Sequence, residues 1–203
     1  MRVVVTQSEP GATRTAERLR AAGFDVDVCP LIRIERLDGP PIRASSYDWV
    51  VVTSRNAVEP LLARVDGGLP RVAAIGPGTA ETLREHGVEP AFVPRVATQE
   101  GLAAELPRPA GRVLLAAAEG ARDVLVRELG GEYVPLYRTV ELRPGRFPAA
   151  DVVLLASASA ARSFSALDVS LPCVAIGPVT AAEAEERGLE VLAEAETPTA
   201  EGV

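Results

Sequence analysis

Four short segments of the sequence have the form of anion-binding turns. Each follows an apolar run and precedes a helical pattern: Thr-Ser-Arg-Asn at 53–56, Gly-Pro-Gly-Thr at 76–79, Ala-Ser-Ala-Ser at 156–159 and Gly-Pro-Val-Thr at 177–180. The first N–H groups of a helix have no partner within it, and the helix dipole makes that end positive. Each turn therefore indicates a phosphate or carboxylate site, or ordinary helix capping. Thr180 and Glu183 have the spacing of a capping box, so both interpretations stay open.

An internal repeat relates these turns in pairs. The matching segments are 74–80 with 175–181, 98–102 with 199–203, 52–57 with 155–160, and 29–32 with 134–137. A repeat of about 100 residues predicts two similar domains. The first copy continues into a helix over 102–106, whereas the second stops at Val203, so either that last helix is absent or the sequence is cut there. Turns with a counterpart in the other half favour a ligand with several negative groups.

Strand and helix patterns alternate along the chain, which predicts parallel sheets covered by helices. The predicted strands are 2–6, 24–29, 49–53, 71–75, 111–116, 151–155 and 173–176, and the predicted helices are 10–22, 55–65, 78–86, 98–106, 120–129, 158–167 and 179–187. Ligands of such sheets bind beyond the carboxyl ends of the strands, where the four turns fall.

Two segments, 31–36 and 137–143, instead alternate strictly between apolar and polar residues. This period indicates strands that are exposed to solvent on at least one side, and a loop with Pro and Gly follows each. We expect them to pair with each other as connectors between two domains. Tyr137 stands where a domain joins its connector. Its phenol could donate a proton to a leaving hydroxyl group, or it could simply pack one face of the strand.

The composition excludes several classes of chemistry. All 21 basic residues are arginine, so Schiff-base lysine enzymes, pyridoxal-phosphate enzymes and Walker phosphate loops are excluded. The net charge of −7 argues against nucleic acid as a partner. Only two of the three glycines of a dinucleotide fingerprint occur at 76–78, which argues against that cofactor.

The remaining reactive side chains are few. The single histidine, His86, lies at a predicted helix end before a glycine, and no Cys/His group has the spacing of metal ligands. Cys29 and Cys173 lie in apolar runs and are expected to be reduced and buried. We find no signal peptide and no apolar run of about 20 residues, so we expect a cytoplasmic protein without a membrane partner.

The order and spacing of four motifs resemble the uroporphyrinogen-III synthase family nearly end to end. They are Val-Val-Thr-Ser-Arg-Asn-Ala-Val at 51–58, Ala-Ile-Gly-Pro-Gly-Thr-Ala at 74–80, Leu-Tyr-Arg-Thr at 136–139 and Ala-Ile-Gly-Pro-Val-Thr-Ala at 175–181. The resemblance implies two flavodoxin-like α/β domains joined by a two-stranded β-ladder, with the active-site cleft between them. The implied bounds are 1–32 with 145–203 for domain 1, 38–136 for domain 2, and 33–37 and 137–144 for the connectors.

The same resemblance implies a reaction and its residues. The substrate would be hydroxymethylbilane, a linear tetrapyrrole with eight carboxylates. The monomeric enzyme would remove water, invert the last ring through a spiro intermediate and close the macrocycle, with no metal or cofactor. Tyr137 would be the catalytic acid. The implied substrate-binding residues are Ser54, Arg55, Asn56, Gly76, Thr79, Arg122, Ser157, Ala158, Ser159, Gly177 and Thr180, with Arg14, Arg138 and Arg162 as further cations.

The sequence departs from the family pattern at three places. Gln7 replaces the usual arginine after the first strand, Ala117 and Ala118 replace an Arg-Gly pair, and Ala156 replaces a threonine. These changes remove polar contacts to an octa-anion and keep two other hypotheses open. One is a non-catalytic module of the same fold that binds a tetrapyrrole or another polyanion. The other is an enzyme that uses a nucleotide or a sugar phosphate on a doubly wound fold.

Overall fold

A computed structural model of the chain describes residues 1–195, so the predicted repeat segment at 199–203 lies outside the described residues. The chain divides into unit 1, formed by 1–34 and by the chain from 139 onward, and unit 2, formed by 35–138. The chain therefore passes between the units twice, at 34–35 and at 138–139.

The described residues form ten strands and seven α-helices. The strands are β1 Arg2–Val5, β2 Asp25–Val28, β3 Ile32–Arg36, β4 Trp49–Val52, β5 Arg71–Ala74, β6 Val113–Ala118, β7 Glu132–Glu141, β8 Val152–Leu155, β9 Cys173–Ala175 and β10 Val191–Glu194. The helices are α1 Gly11–Ala21, α2 Val58–Arg64, α3 Pro77–Glu85, α4 Gln99–Glu105, α5 Val124–Leu129, α6 Ala158–Ser165 and α7 Pro178–Glu186, with short 3-10 helices at Ala44–Ser46 and Arg55–Ala57.

Unit 1 contains a parallel sheet with the strand order β10-β9-β8-β1-β2. Counted along the chain, this is the 2-1-3-4-5 order of flavodoxin-like folds. The valine run of β1 is buried on both faces, as its composition predicts. Val3 and Val5 pack with α1 residues such as Leu19, whereas Val4 packs in the opposite layer with Phe164 of α6. The sheet is therefore covered on both sides by helices.

Unit 2 repeats this arrangement in the strands β7-β6-β4-β5, which are parallel, with β3 added beyond β7. One face packs Trp49, Val51 and Leu115 against α4 and α5. On the other face, Val50 and Val52 are fully buried. The α/β fold predicted from the alternation of strands and helices is confirmed.

The two period-two segments lie in β3 and β7, which run side by side in opposite directions. The Leu37 N–H donates to the Leu136 carbonyl at 2.9 Å, and the Leu142 N–H donates to the Leu31 carbonyl at 2.8 Å. β7 begins at Glu132, before the predicted connector, and its first half belongs to the parallel sheet through β6.

The sequence patterns missed or misplaced some elements. No strand was predicted at β10, whose residues are mostly exposed and therefore lack a buried apolar face. The helix predicted at 120–129 begins only at Val124, because Gly120 adopts a left-handed conformation with φ +71° and turns the chain first. None of the helices found in residues 1–195 is long and apolar enough to cross a membrane.

Candidate functional site

The turns after β4 and β5 carry the first predicted site residues of unit 2. Ser54 caps the 3-10 helix that follows β4, and its Oγ accepts a hydrogen bond from the Asn56 N–H at 3.2 Å. Gly76 caps α3 without a side-chain bond, and Pro77 occupies the first position of that helix. Thr79 is buried in its first turn. Parallel strands end at one edge of the sheet, so both turns lie at that carboxyl edge.

Tyr137 lies in β7, paired with Ala118 at the end of β6, and is only 5% exposed. Burial raises the pKa of its phenol above the ordinary value near 10, and a hydrogen bond with the Ser54 hydroxyl group offsets part of this rise. Its pairing with Ala118 places Tyr137 at the carboxyl end of β6. The phenol stays protonated at neutral pH, so it can serve as an acid.

Tyr133 is a neighbour of this group that the sequence reading missed. It precedes Tyr137 by four residues on the same strand, and its hydroxyl group donates to the Ala118 carbonyl. Backbone hydrogen bonds from Gly120 and Ala121 partly offset the rise that burial causes in the pKa of Tyr133. Tyr133 thus fixes the turn between β6 and α5. The period-two spacing of the two tyrosines was the available signal for it.

The two leading cationic candidates differ in their surroundings. Arg55 lies over Gly78, and its guanidinium has no ion pair or hydrogen bond within residues 1–195. Arg122 instead pairs with Glu100, with a second N···O contact of 3.2 Å, and both side chains are more than half exposed. The hydrogen bond from Arg122 lowers the pKa of Glu100. Arg55 is available to an anion as it stands, whereas Arg122 would have to exchange Glu100 for it.

The equivalent turns of unit 1 follow β8 and β9. Ser157 caps α6 by accepting from the Ala160 N–H at 3.1 Å, and Ala158 is the first residue of that helix. Ser159 accepts a hydrogen bond from Arg162 at 2.8 Å. Gly177 caps α7 without a side-chain bond.

Thr180 is 4% exposed and lies inside the first turn of α7. The capping box considered for Thr180 and Glu183 is therefore wrong, because the helix begins two residues earlier, at Pro178. Glu183 instead accepts from Arg162 at 3.1 Å and from Arg187 at 2.7 Å.

The three secondary arginine candidates are mostly engaged. Arg162 also contacts Glu141 at 3.3 Å, and Arg138 pairs with Glu35 at 2.8 Å. Arg14 has no side-chain ion pair in the part of the chain that the structure describes. Pairing with carboxylates makes Arg162 and Arg138 structural cations in this state.

Other reactive groups have ordinary structural roles. The His86 Nδ1 lies 2.9 Å from the Thr82 carbonyl at the end of α3. Cys29 and Cys173 are free and buried, and burial raises the pKa of both thiols. Among residues 1–195 no group of three His, Cys, Asp or Glu side chains could hold a metal ion.

Two departures from the family pattern have a local packing explanation. The Gln7 side-chain carbonyl accepts from the Thr15 hydroxyl at 2.7 Å, which ties the turn after β1 to α1. Ala117 is fully buried beside Val51 and Leu125 in the core of unit 2. Gln7 and Ala117 therefore stabilise their own unit.

The fold and these turns define a class: a repeated flavodoxin-like α/β protein with polar, helix-capping turns at the carboxyl edges of its sheets. The family model of uroporphyrinogen-III synthase (HemD) matches residues 13–203. The chain therefore belongs to the uroporphyrinogen-III synthase family, which is a family of enzymes.

Two curated archaeal relatives match part of the chain. A candidate uroporphyrinogen-III synthase of Methanothermobacter thermautotrophicus is 33% identical over 111 residues, which is 49% of this chain and 44% of that protein. One of Archaeoglobus fulgidus is 35% identical over 83 residues, 41% of this chain and 35% of that protein. The chain thus matches less than half of the length of these curated relatives.

Two solved structures share the fold over nearly the whole chain. Uroporphyrinogen-III synthetase from Helicobacter pylori has a TM-score of 0.69 at 19% identity and covers 100% of this chain and 96% of its own. A mutant uroporphyrinogen III synthase from Thermus thermophilus has a TM-score of 0.63 at 18% identity, with 98% and 94% covered. At this identity the likeness concerns the fold.

Proposed function

We propose that this chain is a uroporphyrinogen-III synthase, a hydro-lyase that closes hydroxymethylbilane to uroporphyrinogen III with loss of water and inversion of ring D. The reaction needs no metal ion or organic cofactor. The proposal includes a monomeric state and a cytoplasmic location, which sedimentation and cell fractionation would test.

The observation that carries the proposal is the position of Tyr137, which is almost fully buried beside the carboxyl end of β6 in unit 2. Tyr137 is almost fully buried, and burial further raises the pKa of a phenol that is already protonated at neutral pH. A buried, protonated phenol can act as a general acid by donating its proton to a hydroxyl leaving group. Ser54 can keep that phenol oriented while its own Oγ accepts from the Asn56 N–H.

In the proposed first step the Tyr137 phenol gives its proton to the hydroxyl oxygen of the substrate. The bond between that oxygen and the methylene carbon breaks, water leaves, and the pyrrole nitrogen stabilises the cation. The α-carbon of ring D that carries the methylene bridge then attacks this cation to form the spiro intermediate. Migration of the bridge inverts the ring, closure completes the macrocycle, and a ring proton is released that can restore the phenol.

Because the hydroxyl group leaves readily, positioning is the main contribution expected of the protein. Arg55 offers a guanidinium without a partner in the described residues, and the turns at Gly76 and Gly177 offer amides at helix starts. In this proposal, the guanidinium and these amides hold substrate carboxylates, whereas Thr79 and Thr180 are buried in the first turns of their helices.

The decisive experiment supplies purified protein with freshly made hydroxymethylbilane and separates the product isomers after oxidation. We expect the type III isomer to form faster than spontaneous closure forms type I. Type I alone, at the rate seen without protein, would refute the proposal. Tight tetrapyrrole binding without type III formation would point to a binding module instead.

A further inference from the structure

Among the positions at which the two copies of the repeat differ, two concern a single contact. The turn after β4 carries Arg55 where the turn after β8 carries Ala158, and α3 carries Gly78 where α7 carries Val179. Unit 2 therefore combines an arginine with a glycine. Unit 1 has two apolar side chains instead.

The residues that begin these turns have similar backbone conformations in the two units, although a 3-10 helix follows Ser54 and an α-helix follows Ser157. Ser54 and Ser157 are both extended N-caps, with φ of −164° and −167°, and each accepts from a following amide. Gly76 and Gly177 are both extended N-caps, with φ of −174° and 171°, and a proline follows each. At the second position of the pair, Gly78 and Val179 therefore occupy the same place in helices that begin alike.

Gly78 makes room for the Arg55 guanidinium. A Cβ atom placed on Gly78 would lie 2.6 Å from Arg55 Nη2 and 3.5 Å from its Cζ, so any side chain here would displace the guanidinium. The backbone itself does not need glycine, because Gly78 lies inside α3 in a helical conformation. Val179 occupies the same position of α7, where it is 74% exposed.

We propose that Gly78 is a positioning residue for Arg55. Because it has no side chain, it leaves space for the guanidinium over the start of α3, where Arg55 binds one carboxylate of the substrate. Unit 1 lacks this contact because Ala158 replaces the arginine. The Val179 side chain therefore has no guanidinium to displace. The identity of the ligand rests on the proposed function, whereas the dependence of Arg55 on Gly78 rests on the contact itself.

A double-mutant cycle tests this dependence. The probe is uroporphyrin III, an octacarboxylate whose fluorescence anisotropy reports its Kd, and KM and kcat for hydroxymethylbilane are measured in parallel. Arg55→Ala should raise the Kd about tenfold, as the loss of one charge-assisted contact would. Gly78→Val should raise it equally, and the double variant should lose no more than either single one. KM should follow the Kd while kcat changes little.

Two further variants serve as controls. Gly78→Ala replaces the valine variant if that variant fails to fold, because its methyl carbon would also lie 2.6 Å from Arg55 Nη2. Val179→Gly makes the matching change in unit 1 and should leave the Kd unaltered. The thermal midpoint of every variant separates loss of folding from loss of binding.

Several results would overturn the inference. These are an unchanged Kd for Gly78→Val, a further loss when it is added to Arg55→Ala, or no uroporphyrin binding by the unaltered chain. If the chain binds uroporphyrin with the expected pattern but forms only the type I isomer, the proposed function fails and the Arg55–Gly78 pair stands. If the chain forms the type III isomer but the Gly78 variants leave the Kd and KM unchanged, only the inference about Gly78 fails.

Discussion

Tyr137 is the buried phenol of unit 2, with 5% of its surface exposed. Like any tyrosine it is protonated at neutral pH, and burial raises its pKa further. The other phenols of unit 2 are engaged elsewhere: Tyr133 donates to the Ala118 carbonyl, and Tyr47 donates to Glu132 at 2.8 Å. At the scale of single residues, Tyr137 is thus the phenol whose surroundings fit the proposed step.

Tyr137→Phe should lower kcat about a hundredfold, because it removes the acid but keeps the ring that packs in the sheet. KM and the thermal midpoint should change little. Tyr47→Phe is the matched control, since it removes a phenol hydroxyl group from the surface of the same unit. Equal rates for Tyr137→Phe and the unaltered chain would remove this tyrosine from the mechanism.

The pH dependence of kcat follows from the direction of the Tyr137 shift. Because burial raises the pKa of the phenol, its acidic form persists to higher pH than that of a free tyrosine. The loss of kcat that belongs to Tyr137 should therefore begin only above about pH 10. A limb near neutral pH that disappears in Tyr137→Phe would contradict the raised pKa.

At the scale of elements, the start of α4 depends on close approach of the backbone to Gly101. Thr98 caps this helix by accepting from the Gly101 N–H at 3.0 Å. The preceding chain folds back so that a Cβ atom on Gly101 would lie 2.3 Å from the Val96 carbonyl oxygen. Ala97 in the same segment lies against Gly76, so this turn adjoins the start of α3.

Gly101→Ala should therefore destabilise the chain by about 1–3 kcal/mol, the usual cost of forced overpacking. This is opposite to the gain of about 1 kcal/mol expected from alanine in an unhindered helix. Gly68→Ala is the control, since no atom lies within 4 Å of the added methyl group. Denaturant unfolding measures both, and an increase in stability for Gly101→Ala would disprove the close approach.

At the scale of the whole molecule, each unit has a hydrophobic core of its own. Leu115 belongs to the core of unit 2 and Phe164 to one of the cores of unit 1, and both are almost fully buried. The chain enters unit 2 once and leaves it once, while unit 1 combines the two ends of the described chain. Separate cores imply that local stability is divided between the units.

Leu115→Ala should cost about 2–5 kcal/mol and Phe164→Ala about 3–5 kcal/mol. Native-state hydrogen exchange should show the loss of protection mainly in 35–138 for the first variant. For the second variant, the loss should fall mainly in 1–34 and 139–195. Equal losses across all of these residues in both variants would show that the chain opens as one unit.

The elements that could be predicted from the sequence are those with a strong local pattern. Neighbouring residues alone predict the buried valine run of β1, the polar turns after β4 and β8, and the end of α3 before Gly87. Weak or mixed patterns did not suffice: β10 is mostly exposed, and the first half of β7 contains Pro135. Tyr133 was missed because its role depends on the register of β7 against β6.

Residue types and short spacings were enough to predict the repeat, the α/β class, the polar turns at helix starts and the exclusion of lysine chemistry. Only the tertiary structure decided which arginines are available. Arg122 and Glu100 are 22 residues apart in the sequence, and Arg55 and Gly78 are 23 residues apart. The first two residues form an ion pair, whereas the Arg55 guanidinium lies over a glycine. Such pairings depend on which strand ends become neighbours in the sheet, and local patterns do not contain that information.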